Sequence, residues 1–223
     1  KIEFEMPYTF QTGALSGVSV LGDMDTRNSF GFAYTMGAQY KISENTVIGI
    51  AYVSESRSTL KGKADFYLPD TAPESALFNN RQANYDLESD FEWPRSIGVG
   101  ISHKYGASHR FSSDVLWFDW ASAFDSLDLT LTDGDNAEFD ASLGKKIKDS
   151  FPIDWNSAFA LRFGYEYFVM GSSDNIVRCG YNYNENPVSQ DTQIPLIPGN
   201  IQHTFSIGYS HTWIKWELGV ASQ

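Results

Sequence analysis

Arg162, Glu166 and Arg178 are residues whose types and spacing could do chemistry. They flank a short polar segment, Met170 to Asn175, inside AFALRFGYEYFVMGSSDNIVRCGYNYNENP, Ala158 to Pro187. The spacing puts both arginines on one face of a hairpin, directly opposite or one pair off. Two guanidinium groups so placed repel unless an anion lies between them. Glu166 shares that face. Two readings stay open: an Arg–Glu network bracing a wall, or a forked pair of donors for a carboxylate ligand. A second concentration is TDGDNAEFD, with Asp133, Asp135, Glu138 and Asp140. Oxygen at this density can hold calcium. EF-hand spacing is missing, so a solvated acidic loop is the competing reading. The histidines are His103, His109, His203 and His211, and no GxSxG, HExxH or P-loop pattern accompanies them. His203 and His211 fall on the aromatic face near the two ends of one strand, which suits interfacial residues. The single cysteine, Cys179, allows no intrachain disulfide and no cysteine-rich zinc site. It reads as a small apolar residue. No enzyme, metal or cofactor is expected.

The elements that carry these residues alternate with period two. Phe159, Leu161, Phe163, Tyr165 and Tyr167 share one face, and Ala160, Arg162, Gly164 and Glu166 the other. FGFAYTMGAQYKI places Phe30, Phe32, Tyr34, Met36 and Tyr40 opposite Gly31, Ala33, Gly37 and Gln39. SIGVGISHKY and IQHTFSIGYSHTW repeat the pattern, whereas helical spacing with caps is scarce. An early strand, GALSGVSVL, is expected before a GDMDTRNS connection.

The 223 residues carry a net charge of −12, which disfavours a nucleic-acid partner. Aromatics make up 15%. No run of ~18 apolar residues occurs, so no transmembrane helix is encoded, but membrane β-strands of ~10 alternating residues escape that test. The connections alternate in length. Those near 44, 107, 172 and 214 are short, and 67–88, 132–152 and 189–199 are long. Antiparallel strands with short turns at one end and long loops at the other have the layout of an outer-membrane barrel. Its aromatic face meets lipid and its small or polar face lines a lumen. A lipocalin-like soluble barrel, with the aromatics inside, is the alternative.

Specific stretches then carry a resemblance. SSDVLWFDWASAFDSLDL resembles a strand of the FadL-like outer-membrane transporters of long-chain fatty acids and other hydrophobic compounds. Asp114, Val115, Trp117, Trp120 and Phe124 match its pattern, with Ala121 in place of Ser. The hairpin from Ala160 to Val188, the strand IQHTFSIGYSH and the stretch from Phe30 to Phe66 resemble further parts of that family, in order, over roughly 15–213.

The resemblance implies an all-β, antiparallel, up-and-down transmembrane β-barrel in the bacterial outer membrane. Eight to nine strands of a larger barrel are expected, with 1–223 a single partial barrel domain that lacks the N-terminal hatch and early strands. It implies passive uptake of hydrophobic molecules such as long-chain fatty acids. Arg162, Arg178 and Glu166 are the candidate ligand-binding residues. The partners implied are a hydrophobic small molecule and the lipid and lipopolysaccharide of the membrane. A structural or adhesive barrel with acidic extracellular loops and no transport is the alternative, and a barrel hydrolase ranks behind both.

Overall fold

The computed structural model describes residues 2–11, 15–27, 30–70, 78–172, 174–189, 201–213 and 216–222. Its strands are β1 (Ile2–Thr9), β2 (Ser19–Arg27), β3 (Thr35–Lys41), β4 (Thr46–Val53), β5 (Ser56–Tyr67), β6 (Gln82–Trp93), β7 (Ser96–Tyr105), β8 (His109–Phe118), β9 (Ser126–Thr132), β10 (Lys146–Pro152), β11 (Ala158–Phe168), β12 (Asn175–Asn184), β13 (His203–Trp213) and β14 (Trp216–Ser222). Two short helices accompany the strands, α1 (Trp120–Ala123) and α2 (Ala137–Leu143). The chain divides into two compact units. Unit 1 holds Lys1–Phe32, Ser56–Trp93 and Phe124–Ile153; unit 2 holds Ala33–Glu55, Pro94–Ala123 and Asp154–Gln223.

Unit 2 is the expected barrel wall. Eight strands in the order β3-β4-β7-β8-β11-β12-β13-β14 form one sheet, and the neighbours pair antiparallel. Period-two alternation assigns the two faces. Phe163 is 50% exposed, Phe205 72% and Ile207 65%, so these side chains turn away from any protein core. Such a face has no stable place in water and suits hydrocarbon, with every backbone polar group of an inner strand paired to its neighbour. Phe159 and Tyr209 of the expected outward set are exposed as well, whereas Tyr165 and Tyr181 on the same face are half-buried. The turns after β3, β7 and β11 lie at one end of this sheet. Backbone bonds link them in sequence: Lys104 N to Asn45 O, Phe168 N to Ser108 O, and Thr212 N to Asp174 O, at 2.7–2.8 Å.

Unit 1 corrects the reading of the long connections. Segments 67–88 and 132–152 are not plain loops: they contribute to β5, β6, α2 and β10. The expected GDMDTRNS connection is mostly strand β2. Three hairpins form a six-stranded antiparallel meander, β1-β2-β5-β6-β9-β10. The expected loop 189–199 lies almost wholly outside the described residues.

The faces of unit 1 are those of a sheet in water. Tyr8, Met24, Phe66, Tyr85, Leu87, Leu131, Phe139 and Ile147 are fully buried in one core. The other face of β5 and β6 carries cross-strand pairs between Arg57 and Glu92, Lys61 and Glu88, and Lys63 and Asp86. The edge strands β1 and β10 meet across the core. Tyr8 donates its hydroxyl to the buried Asp149, which also accepts from Gln11 N. The Tyr8 and Phe151 rings lie 5.5 Å apart, edge to face. Burial, then the bond to Asp149, pushes the Tyr8 hydroxyl far above the usual phenol range, so it remains a donor.

Helix α2 is fixed by its cap. Asn136 is buried, and its Oδ1 accepts from Glu138 N and Phe139 N. Its Nδ2 donates to Asn80 O and Gln82 O at 2.8 and 2.7 Å. Glu138 closes the clamp from the other side, accepting from Asn79 N and Nδ2 and from Asn80 N.

Candidate functional site

The polar face of unit 2 resolves into rows that run across the strands. Register places Gln39, Gly49, Gly100, Asp114, Arg162, Asn182 and Thr204 in one row. The next row toward the short turns reads Ser102, Ser112, Gly164, Gly180 and Ser206. Beyond it come Lys104, Arg110, Glu166 and Arg178. A charged or amide row and a charged row therefore flank one of small residues.

This geometry separates the two arginines expected to act together. Arg162 is in register with Asn182, and Arg178 with Glu166. The two positions are offset by four residues along the strands, about 13 Å at ~3.3 Å per residue. A single carboxylate cannot bridge them, so the forked Arg162–Arg178 pair is not formed. Glu166 is engaged, and by two arginines. Its Oε1 accepts from Arg178 Nε and its Oε2 from Arg110 Nη1, both at 2.8 Å. Arg178 Nη1 also donates to Ser210 Oγ at 2.6 Å. Arg178 and Glu166 thus form one network with Arg110 and Ser210. Arg110 is the member that sequence reasoning missed. The signal was present, because the short Gly106–Ser108 turn puts Arg110 directly opposite Lys104.

Arg162 stands differently. Its register neighbour Asp114 leans toward β7: a Cβ added at Gly100 would lie 2.0 Å from Asp114 Oδ1. Glycine at 100 makes room for that carboxylate, and the lean takes it away from Arg162. Among the described residues the Arg162 side chain has no ion pair or hydrogen bond. Asn182, on its other side, has a buried Oδ1 without a hydrogen-bond partner. Asp114 and Arg162 line an open depression of about 550 Å³ together with Gln39, Gly49, Gly100 and Ser112. The group able to take a new anion in this depression is the Arg162 guanidinium.

The remaining candidates are placed as follows. Asp135 Oδ1 accepts from Asn84 N at 2.8 Å, Glu138 holds Asn79 and Asn80, and Asp140 accepts from the Tyr85 hydroxyl at 3.4 Å. The acidic segment thus spends carboxylates on its own fold. No group of three His, Cys, Asp or Glu residues placed to hold a metal occurs among the described residues. The histidines pair through Nδ1 with Thr46, Tyr165, Tyr181 and Asn175, for His103, His109, His203 and His211 in turn, at 2.7–2.8 Å. Stacked or tilted rings of Tyr165, Tyr181 and Tyr183 surround His109 and His203. Such amphipathic belts suit the ends of a membrane wall. Cys179 is exposed on the aromatic face.

Comparison with known proteins agrees with this wall. Residues 8–218 match the outer membrane protein transport protein family that includes OMPP1, FadL and TodX. A relative described as an outer membrane protein of Neisseria meningitidis serogroup B is 25% identical over 206 residues, covering 89% of this chain and 41% of its own. Among solved structures, a Pseudomonas aeruginosa FadL homologue is similar with a TM-score of 0.66 at 22% identity, over 92% of this chain and 46% of that one. The Pseudomonas putida toluene transporter TodX gives 0.62 at 20% identity, over 95% and 46%. The chain spans about half the length of these relatives or less. It belongs to the OMPP1/FadL/TodX family of outer membrane transport proteins, and its eight-stranded sheet is part of a bacterial outer-membrane β-barrel.

Proposed function

We propose that the protein carries hydrophobic molecules across the outer membrane without chemical change, and that its cargo is an amphiphile with a carboxylate, such as a long-chain fatty acid. The observation that carries this reading is Arg162, a guanidinium without an acid partner among the described residues, on the polar face beside Asp114 and Asn182. A neutral hydrocarbon gives such a group nothing to bind. A carboxylate buried unpaired loses several kcal/mol, and a charged donor offsets that loss. The tail contributes affinity of ~0.8 kcal/mol for each buried CH₂. Arg178 and Glu166 take part by bracing the wall about 13 Å further along the strands, at ~3.3 Å per residue. Lipid and lipopolysaccharide meet the aromatic face, with Tyr and His residues at its margins.

Binding of laurate and of methyl laurate to the whole protein tests this. Arg162→Gln is expected to weaken laurate by ~1.5–3 kcal/mol, the worth of a hydrogen bond to a charged group, and to leave the ester unchanged. Equal losses for acid and ester sink the carboxylate assignment. The folded unit 1, with a core of its own, favours a second role as a body for contacts outside the membrane. Removing it while keeping uptake would separate that role from transport.

A further inference from the structure

The aromatic face of the wall is interrupted where two tyrosines lean apart. Tyr165 pairs with Cys179 across β11 and β12, and the next pair on that face is Phe163 with Tyr181. The Tyr165 hydroxyl meets His109 Nδ1 at 2.8 Å, toward the short turns, and its ring lies 5.1 Å from Phe111. The Tyr181 hydroxyl meets His203 Nδ1 at 2.8 Å, toward the opposite end, and its ring lies 4.9 Å from Phe205. Between them the floor is made of Ser113, Gly164, Cys179 and Gly180, under an open depression of about 540 Å³ walled by Phe163 and Phe205. A second depression of about 520 Å³, lined by Tyr105, His109, Phe111 and Tyr165, adjoins it on the short-turn side. Phe111 and Tyr165 line both, so the two form one groove along the strands. Its short-turn end carries two imidazoles. His103 stands opposite Phe111 and His109 opposite Tyr105, which makes the histidines diagonal neighbours, ~7–8 Å apart. Nδ1 of each is taken by a hydroxyl, that of Thr46 for His103 and of Tyr165 for His109. Thr46 Oγ1 already accepts from Ser43 Oγ, so its own proton goes to the ring. Nε2 of both rings has no hydrogen-bond partner among the described residues and is the nitrogen left to donate.

We propose that this groove seats one phospholipid of the periplasmic leaflet, with its phosphate between His103 and His109 and an acyl chain laid over Cys179. This rests on the reading that lipid meets the aromatic face, and it is independent of the cargo. The short turns mark the periplasmic end of such barrels. The imidazole end of the groove therefore lies at headgroup depth and the Cys179 end within the hydrocarbon, which is the order of phosphate and tail in a phospholipid of that leaflet. From the pair of His109 with Tyr167 to the pair of Ser113 with Phe163 the groove runs four residues, about 13 Å at ~3.3 Å per residue. In a bilayer an acyl chain leaves other chains rather than water, so burial alone selects nothing. Shape selects: an unfilled depression forfeits dispersion contacts that a chain lying between Phe163 and Phe205 recovers. The phosphate adds the polar recognition, because hydrogen bonds to an ionised acceptor are the strong ones. A lipid held in this way fixes the depth at which the wall sits.

The test uses the whole protein in an uncharged detergent, read by native mass spectrometry with dioleoylphosphatidylethanolamine and dioleoylglycerol as probes. Cys179→Trp fills the floor from an exposed position and is expected to remove one phospholipid per chain. His103→Phe with His109→Phe is expected to weaken that same lipid by about tenfold or more, the fold-change carried by a charged hydrogen bond. The diacylglycerol, which lacks the phosphate, should bind the unmutated protein as weakly as the phospholipid binds the double variant. A second measurement needs no variant to fold. In vesicles of the same phospholipid, the Cys179 peptide should be modified by N-ethylmaleimide and spared by a charged, membrane-impermeant maleimide. If Cys179 is spared but Cys179→Trp retains phospholipid as wild type does, the seat is wrong and the lipid-facing reading stands. If the charged reagent modifies Cys179, both fall. Equal retention of phospholipid and diacylglycerol takes the phosphate away from the imidazoles and overturns the seat as stated. Lipopolysaccharide retained in place of the phospholipid overturns the assignment to the periplasmic leaflet.

Discussion

Replacing Asn136 by alanine should loosen unit 1 locally and measurably. The side chain caps α2 through Oδ1 and satisfies Asn80 O and Gln82 O through Nδ2. Loss of the cap costs about 1 kcal/mol. Each carbonyl left without its donor adds ~0.5–1.5 kcal/mol, because the site is buried and water replaces the amide poorly. The sum is roughly 2–4 kcal/mol, which corresponds to ~30- to ~1,000-fold faster exchange of amides protected by local opening. Hydrogen exchange read by mass spectrometry over 79–88 and 137–143 is the assay, with peptides from β11 and β12 as internal controls. Asn136→Ser keeps a capping oxygen but loses the amide N–H groups that reach Asn80 O and Gln82 O, so it should recover only the cap's share. Unchanged exchange at 79–88, or an equal rise in β11 and β12, would refute the clamp.

Tyr8→Phe removes the donor to buried Asp149 and should destabilise unit 1 by ~1.5–3 kcal/mol in denaturant unfolding followed by fluorescence; no change would mean the edges of that sheet are held otherwise. The Glu138 carboxyl is held below the usual Glu range by the side-chain bond from Asn79 and then the backbone bond from Asn80. With its folded value depressed, its contribution is present above the ordinary Glu value and lost as pH falls through the folded one. Protection of the Asn79 and Asn80 amides should therefore persist at neutral pH and fade only below the ordinary Glu value, while Glu138→Gln should flatten that profile. Phe205→Lys on the aromatic face should cost ~2–4 kcal/mol of membrane stability if that position lies near mid-bilayer, read as a lower urea midpoint in lipid vesicles.

The barrel wall was legible because its physics is one-dimensional. Residues such as Phe163, Tyr181, Phe205 and Ile207 alternate with Arg162, Gly164, Gly180 and Ser206, and a strand crossing a membrane must present one set to lipid. Unit 1 follows the same period with the opposite outcome. Ala83, Tyr85 and Leu87 alternate with Asn84, Asp86 and Glu88, and the apolar set is buried. Long connections in a barrel pattern invite a reading as loops, and that reading hid a sheet. The distinguishing sign was charge: β5 and β6 carry Lys61, Lys63, Asp86 and Glu88 on the alternate positions, whereas the inner face of β11 and β12 is mainly small and amide residues with a few charges. A face that dense in paired charge needs bulk water.

The site was less legible because parity is local and register is not. Period two places Arg162, Glu166 and Arg178 on one face without the height of each strand against its neighbour. That height comes from the turn. The chain between Phe168 and Asn175 has Met170 and Gly171 at positive φ, of 55° and 73°, and these bends fix Glu166 opposite Arg178. A pairing shifted along the strands by four residues would have brought the two arginines together as expected, with the same faces and the same aromatics outside. The observed register instead gives Glu166 to two arginines and leaves Arg162 beside a carboxylate that leans away over Gly100. Gly100→Ala therefore carries a further consequence. An added methyl cannot share space with Asp114 Oδ1, so the carboxylate must swing. If it swings to Arg162, the guanidinium gains a resident acid, and laurate should bind more weakly while methyl laurate binds as before. Adding Asp114→Asn in the same chain should restore laurate binding. Failure of that second change to restore it would mean that the free state of Arg162 does not depend on where Asp114 points.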